Sequence, residues 1–298
     1  MRIPRIPVWL KVFSLAILVG VLVRAFAFTS CSIPYTGMEN TLYQGERVLV
    51  NKWSYGLRLP FSTIRLGAEQ ARKGDVVLFN NPISRNEAPV YARELFISRC
   101  IGVPGDTLMM NDELMVTGKQ VQSPDSKQLY LYPHSAEDTL CQVMKELGIV
   151  ENPLVGYASG NYIRSFSHYE YYLLNQRLGS VVNLQPVHAN DTAQSHPFVI
   201  PQKGKPVKVY PWNKTLLCNT IIRHEHRKAT VKGDTLYVEG KPVNFYIFQK
   251  DYYWMASNNP VNLSDSRLFG LVPDECLIGK AYCIWYSSQK DRIFQLVE

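Results

Sequence analysis

An apolar run from Trp9 to Phe28, interrupted by charge only at Lys11 and Arg24, constrains this chain more than any other feature. As a helix its roughly 20 residues reach about 30 Å, the thickness of a bilayer core. Arg2, Arg5 and Lys11 at its N-terminal flank predict that end in the cytoplasm and everything after Phe28 outside. Arg24 falls near the far end of the span, where a guanidinium can snorkel to the interface. Two other readings compete: a cleavable secretory signal, with Ala25 and Ala27 as a weak A-x-A site, and a lipoprotein signal ending at Cys31.

The rest of the 298 residues must therefore form a body on the outer side of a membrane. With 46% hydrophobic side chains it can bury one or two substantial cores. Eighteen each of Tyr, Gly and Pro, set around short Val/Ile/Tyr runs, favour strands and turns over a helical bundle. The net charge of +7 is scattered and reads as a solvated surface near anionic lipid, which argues against a nucleic-acid partner. The six cysteines (31, 100, 141, 218, 276 and 283) match no metal-ligand spacing. An oxidising exterior permits disulfides, but Cys100 and Cys283, inside apolar runs, read as buried free thiols.

Strands are expected at Glu46–Asn51 and Asp75–Phe79, with Gly74-Asp75 turning into the second. Val103-Pro104-Gly105-Asp106 is a turn in which Pro fixes φ and Gly supplies a positive φ. Residues 119–198 are polar and rich in His, Tyr and Asn, with helices near Thr139–Leu147 and Tyr169–Leu178. Beyond them, Lys232-Gly233-Asp234 and Glu239-Gly240-Lys241 flank a hairpin-like segment. His224 and His226, two apart, would share one face of a strand and read as solvated side chains rather than metal ligands.

Ile33, Pro34, Met38, Asn40, Thr41, Leu42, Gly45, Val50, Lys52, Tyr55 and Gly56 fall in step with a box that resembles the nucleophile box of bacterial type I signal peptidases. Arg72 to Phe79 and Leu95 to Leu108 resemble the family's next two elements, and Ser257 to Arg267 its last. The resemblance implies a mainly β fold: one transmembrane helix, then an antiparallel body carrying an inserted, partly helical region. The corresponding boundaries are a tail at 1–8, an anchor at 9–29, a core at 30–118 and 199–298, and an insertion at 119–198. It also implies the cytoplasmic (inner) membrane of a bacterium with the body in the periplasm, no cofactor, and signal peptides of secreted preproteins as ligands. An intact signal peptidase is a second candidate partner.

The family works with a serine–lysine dyad. A serine hydroxyl needs a base beside it, and a lysine serves only when burial leaves it neutral. The nucleophile position here is Gly37 and the base position Ser98, with Arg99 following it. The position that assists the oxyanion is Tyr35, and the one that orients the lysine is Leu263. The residues therefore predict a relative that keeps the scaffold and loses the chemistry. Asp265 and Arg267 persist and can form a partly buried ion pair. Ile33, Pro34, Phe96 and Ile97 fall where the family holds an extended substrate, though core packing explains them equally well. Two further readings stay open: an active peptidase with a displaced nucleophile, Thr36 or Ser98, and an extracytoplasmic structural component.

Overall fold

A computed structural model describes residues 7–297 apart from 60–63, 68, 84–87, 112–113, 115, 117–122, 124, 150–151, 180, 188–194 and 262–263. The chain is mainly β. A seven-stranded antiparallel sheet runs in the order Phe28–Ser32, Arg47–Asn51, Leu277–Tyr286, Val76–Asn80, Leu95–Gly102, Tyr252–Ala256 and Val272–Pro273. Its central strands are apolar without alternation because both faces are covered. Along Val76–Asn80, Val76 and Leu78 enter one core with Ile33, Met38, Leu42 and Ile97, while Val77 and Phe79 enter another with Cys100, Met255 and Phe269. Successive side chains on a strand point to opposite faces, so one strand seals two cores.

The turn at Val103–Asp106 forms: the Asp106 amide donates to the Val103 carbonyl at 3.0 Å, and Gly105 adopts φ +88°. Gly102, one residue earlier, has no room for a side chain. A Cβ there would lie 2.8 Å from Leu108 Cδ1 and 3.1 Å from Trp254 Cβ. A third core lies below this corner, where the helix Lys214–His224 packs on Leu236, Phe248 and Trp254. The hairpin-like segment is a three-stranded meander, Ala229–Lys232, Thr235–Val238 and Lys241–Val243.

Between the two halves of the main sheet the chain builds a second sheet. Its order is Gln185–Pro186, Lys127–Pro133, Asn161–Ser167 and Gly156–Ala158. The helices Glu137–Glu146 and His168–Leu178 pack with it around Leu140, Phe166 and Leu174. The second helix starts at a reciprocal cap, in which Glu170 N–H donates to Ser167 Oγ and Ser167 N–H to Glu170 Oε2. The sequence signals both helices but not these strands, whose polar and tyrosine-rich pattern hides the alternation. A separate core in this region is a finding of the structure.

The N-terminal apolar run is a 15-residue α-helix, Val8–Leu22, continued by a π-helical turn at Val23–Ala27. At about 1.5 Å per residue the α-helix alone is some 22 Å long. Among the described residues no helix is long and apolar enough to cross a membrane. The Arg24 side chain lies outside what is described.

His224 departs from its expected place. It ends the helix Lys214–His224 and is buried against the Tyr252 ring, 6.1 Å away, whereas His226 is exposed. The helix ends at His224, and His226 lies beyond its cap with φ +54°, so no strand alternation relates the two. Burial, helped by the cations of Lys250, Arg93 and Arg223, lowers the His224 pKa from 6.5 to about 3. The unfolded chain thus takes up a proton there while the folded chain does not, so stability is greatest above pH 6.5 and falls progressively toward pH 3. Thermal midpoints measured across that window should fall less steeply for His224→Phe than for the parent chain. Equal slopes would contradict a buried neutral imidazole.

All six cysteines are free thiols. Cys100 is buried as expected, whereas Cys283 is only partly so.

Candidate functional site

The Ile33 amide donates to the Glu46 carbonyl and the Gly45 amide to the Ile33 carbonyl, each at 2.9 Å, where the chain leaves the first strand for a short 3₁₀ turn, Thr36–Met38. Gly37 sits buried in that turn, and its carbonyl accepts from the Asn259 amide at 3.0 Å. Met38 anchors the turn in the core beside Leu42 and Ile97. Tyr35 turns away: it is 42% exposed, and its hydroxyl donates to Glu94 Oε1 at 3.3 Å. Thr36 is half-buried.

Ser98 lies opposite Val77 in the main sheet and is fully buried. Its hydroxyl donates to the Ser264 carbonyl at 2.8 Å. That bond ties the strand Leu95–Gly102 to the last box. Leu263, the lysine-orienting position, lies outside the described residues, as does Asn262. Asp265 is wholly buried and accepts from the amides of Ser257 (2.7 Å) and Arg267 (3.0 Å). The Arg267 guanidinium closes on the same carboxylate, with Nε 3.1 Å from Oδ1 and 3.0 Å from Oδ2.

The four groove candidates do not share a surface. Ile33 and Ile97 are buried in one core, Phe96 stacks on Phe269 in the other with ring centroids 5.6 Å apart, and Pro34 is exposed. Strand alternation separates Phe96 from Ile97.

Beside Gly37 stands a buried charged cluster that the sequence reading passes over. Glu39, two residues on, is 1% exposed, and Lys127, from the first strand of the second sheet, has a side chain 0% exposed. Lys127 Nζ lies 2.7 Å from Glu39 Oε2 and donates to Asn152 Oδ1 at 3.0 Å. Asn259 Nδ2 donates to the same Glu39 oxygen at 2.9 Å, and Asn258 Nδ2 to the Glu39 carbonyl at 3.0 Å. The Lys127 amide in turn donates to the Asn258 carbonyl at 2.7 Å. Around its rim, Thr41 Oγ1 bonds Asp125 and accepts from Arg99 Nη2 at 2.8 Å and Asn258 Nδ2 at 2.8 Å. The inserted sheet is thus joined to the first and last boxes at the place where the resemblance puts the dyad. The one trace in sequence is a carboxylate directly after Met38 in a segment bound for the core.

The chemistry available is narrow. Position 37 offers no side-chain atom, the Ser98 hydroxyl donates to a carbonyl, and the Lys127 amine is held by a carboxylate and an amide. Among the described residues no group of three His, Cys, Asp or Glu side chains could hold a metal ion.

The family profile for signal peptidase, peptidase S26, matches residues 6–176, more than half of the chain. The signal peptidase I of Buchnera aphidicola subsp. Baizongia pistaciae is 25% identical over 267 residues, covering 89% of this chain and 71% of that one. That of Pseudomonas fluorescens is also 25% identical, over 299 residues, with 96% and 74% covered. A shorter match to signal peptidase I of Bacillus licheniformis is 34% identical over 117 residues, 39% of this chain and 53% of that one. Fold, box order and these matches agree: the chain belongs to the signal peptidase, peptidase S26, family.

Proposed function

We propose that this protein is a membrane-anchored member of the signal peptidase I family that binds secretory signal peptides, or a partner peptidase, at the outer face of the inner membrane without cleaving them. One observation carries the loss of catalysis: the nucleophile position is the buried Gly37, and the base position is a serine whose hydroxyl is donated to the Ser264 carbonyl. Among the described residues the recorded partner of that hydroxyl is a carbonyl and not an amine that could take its proton. The charged side chains beside Gly37, Glu39 and Lys127, are bonded to each other and to the amides of Asn152 and Asn259.

The membrane anchor rests on the helix Val8–Leu22. Its apolar side chains are exposed on every side, with Trp9, Val12, Phe13, Leu15, Leu18 and Val21 all turned away from the body. A helix apolar all round needs either a protein core or lipid about it. Continued through the π-helical turn to Ala27, it approaches the thickness of a bilayer core. The basic flank sets the N-terminus in the cytoplasm and the body in the periplasm.

The test is a preprotein incubated with the purified protein for many hours. The expected result is no signal removal above the uncatalysed background. Cleavage that disappears on Thr36→Val or Ser98→Ala would overturn this reading in favour of a displaced nucleophile. Binding is read separately, by crosslinking a signal peptide to the body. Capture no better than that of a scrambled peptide would leave a structural component instead.

A further inference from the structure

We propose that Lys127 and Asn152 become joined by a side-chain amide bond, formed by the chain itself with Glu39 as the proton carrier. The three side chains meet out of solvent. Lys127 Nζ is 2.7 Å from Glu39 Oε2 and 3.0 Å from Asn152 Oδ1, and all three residues are buried. An amine beside a carboxamide is inert in water, where it is protonated and free to move away. Held in a buried site next to a carboxylate, it has both the geometry and a place for its proton.

The surroundings serve each end of the reaction. Asn259 Nδ2 fixes the Glu39 oxygen that faces the amine, at 2.9 Å. On the other side, Glu170 Oε1 accepts from Asn152 Nδ2 at 3.5 Å, next to the group that must leave. The Asn152 backbone is held by Arg164, which bonds its carbonyl. Asn152 thus has its carbonyl oxygen turned to the amine and its amide nitrogen turned to a second carboxylate.

In the step, the Lys127 ammonium gives one proton to Glu39, and Nζ forms a bond to Asn152 Cγ. A second proton passes from Nζ to Nδ2, the Cγ–Nδ2 bond breaks, and ammonia departs. Ammonia takes the proton stored on Glu39 and leaves as ammonium, so Glu39 ends as it began. No oxidant, reductant or cofactor is required. The bond closes a loop through the helix Glu137–Glu146 and fixes the first strand of the inserted sheet to the segment before its edge strand. Glu39 belongs to the first box and the two joined residues to the insertion, so the link forms only after the insertion has docked. It records correct assembly of the two parts.

The full-length chain, denatured and weighed whole, is expected to be lighter than its sequence by one ammonia, about 17 Da. Proteolysis should release a branched peptide joining Lys127 to Asn152. Lys127→Arg keeps a cation but has no attacking amine, and Glu39→Gln keeps the shape but not the base. Both should restore the mass expected from sequence. A parent chain at its full sequence mass, with Lys127 and Asn152 in separate peptides, overturns the proposal without recourse to any variant. A branched peptide that persists in Glu39→Gln overturns the role given to the carboxylate.

Discussion

Measured against the chain in which Lys127 and Asn152 are still unjoined, Lys127→Met should destabilise the protein by about 3–5 kcal/mol, read as a lower urea midpoint at unchanged slope. The substitution keeps an unbranched side chain one atom shorter and removes its charge. Glu39, 1% exposed, is then left as a buried carboxylate without its cation. Desolvating an ion costs several kcal/mol, and the partner offsets that cost only while it is present. Surface pairs such as Arg177 with Glu146 (3.6 Å, both side chains substantially exposed) should contribute less than about 1 kcal/mol by the same assay. The contrast comes from burial rather than from distance. Lys127→Met combined with Glu39→Met should recover much of the loss if the pair acts only as opposed charges, because apolar replacements of buried pairs are often neutral. A loss below about 1 kcal/mol for Lys127→Met alone would mean that water reaches the pair.

Gly279→Ala should be nearly as damaging, about 3 kcal/mol, although it adds a single methyl group. Gly279 lies on the strand Leu277–Tyr286, where it crosses the end of Arg47–Asn51. A Cβ built there would stand 2.3 Å from the Asn51 carbonyl oxygen, 2.9 Å from its carbon and 3.0 Å from Lys52 Cα. All three are main-chain atoms, so no side chain can rotate out of the way. Relief requires separating two central strands of the main sheet, which also form the floor of the core that holds Met38. Gly20→Ala, with nothing within 4 Å of the added carbon, is the matched control and should leave the urea midpoint of the body unchanged. A Gly279→Ala protein as stable as the parent would show that the sheet is far looser here than its geometry requires.

These two positions also mark where reading the sequence stops. Pro104 and Gly105 could be singled out in advance because a turn announces itself locally through residues that set φ, whereas Gly102, which ends a strand, is constrained by Leu108 and Trp254. Gly279 carries no such mark, since its constraint comes from a strand more than two hundred residues earlier. The strands at Arg47–Asn51 and Val76–Asn80 and both helices of the insertion were legible from apolar runs and helical spacing. The inserted sheet was not, since Tyr and Arg at Tyr130, Tyr132, Tyr162 and Arg164 blur the alternation of buried and exposed positions. His224 was misplaced for a related reason: it closes a helix instead of lying on a strand, and His226 follows beyond the cap with φ +54°.

The dyad positions show the same division. That Gly37 lacks a hydroxyl is a fact of the sequence. That the Ser98 hydroxyl is donated to the Ser264 carbonyl needs coordinates. So does the separation of Phe96 from Ile97, which the family resemblance had set beside one groove.

By itself the sequence determined the family, the order of the boxes and which side-chain atoms are missing at the dyad, because these depend only on residue identity along the chain. Tertiary structure alone decided what fills the place beside Gly37. Glu39, Lys127, Asn152 and Asn259 are distant in sequence, and a buried charge is tolerated only where the fold brings its partners within hydrogen-bonding reach.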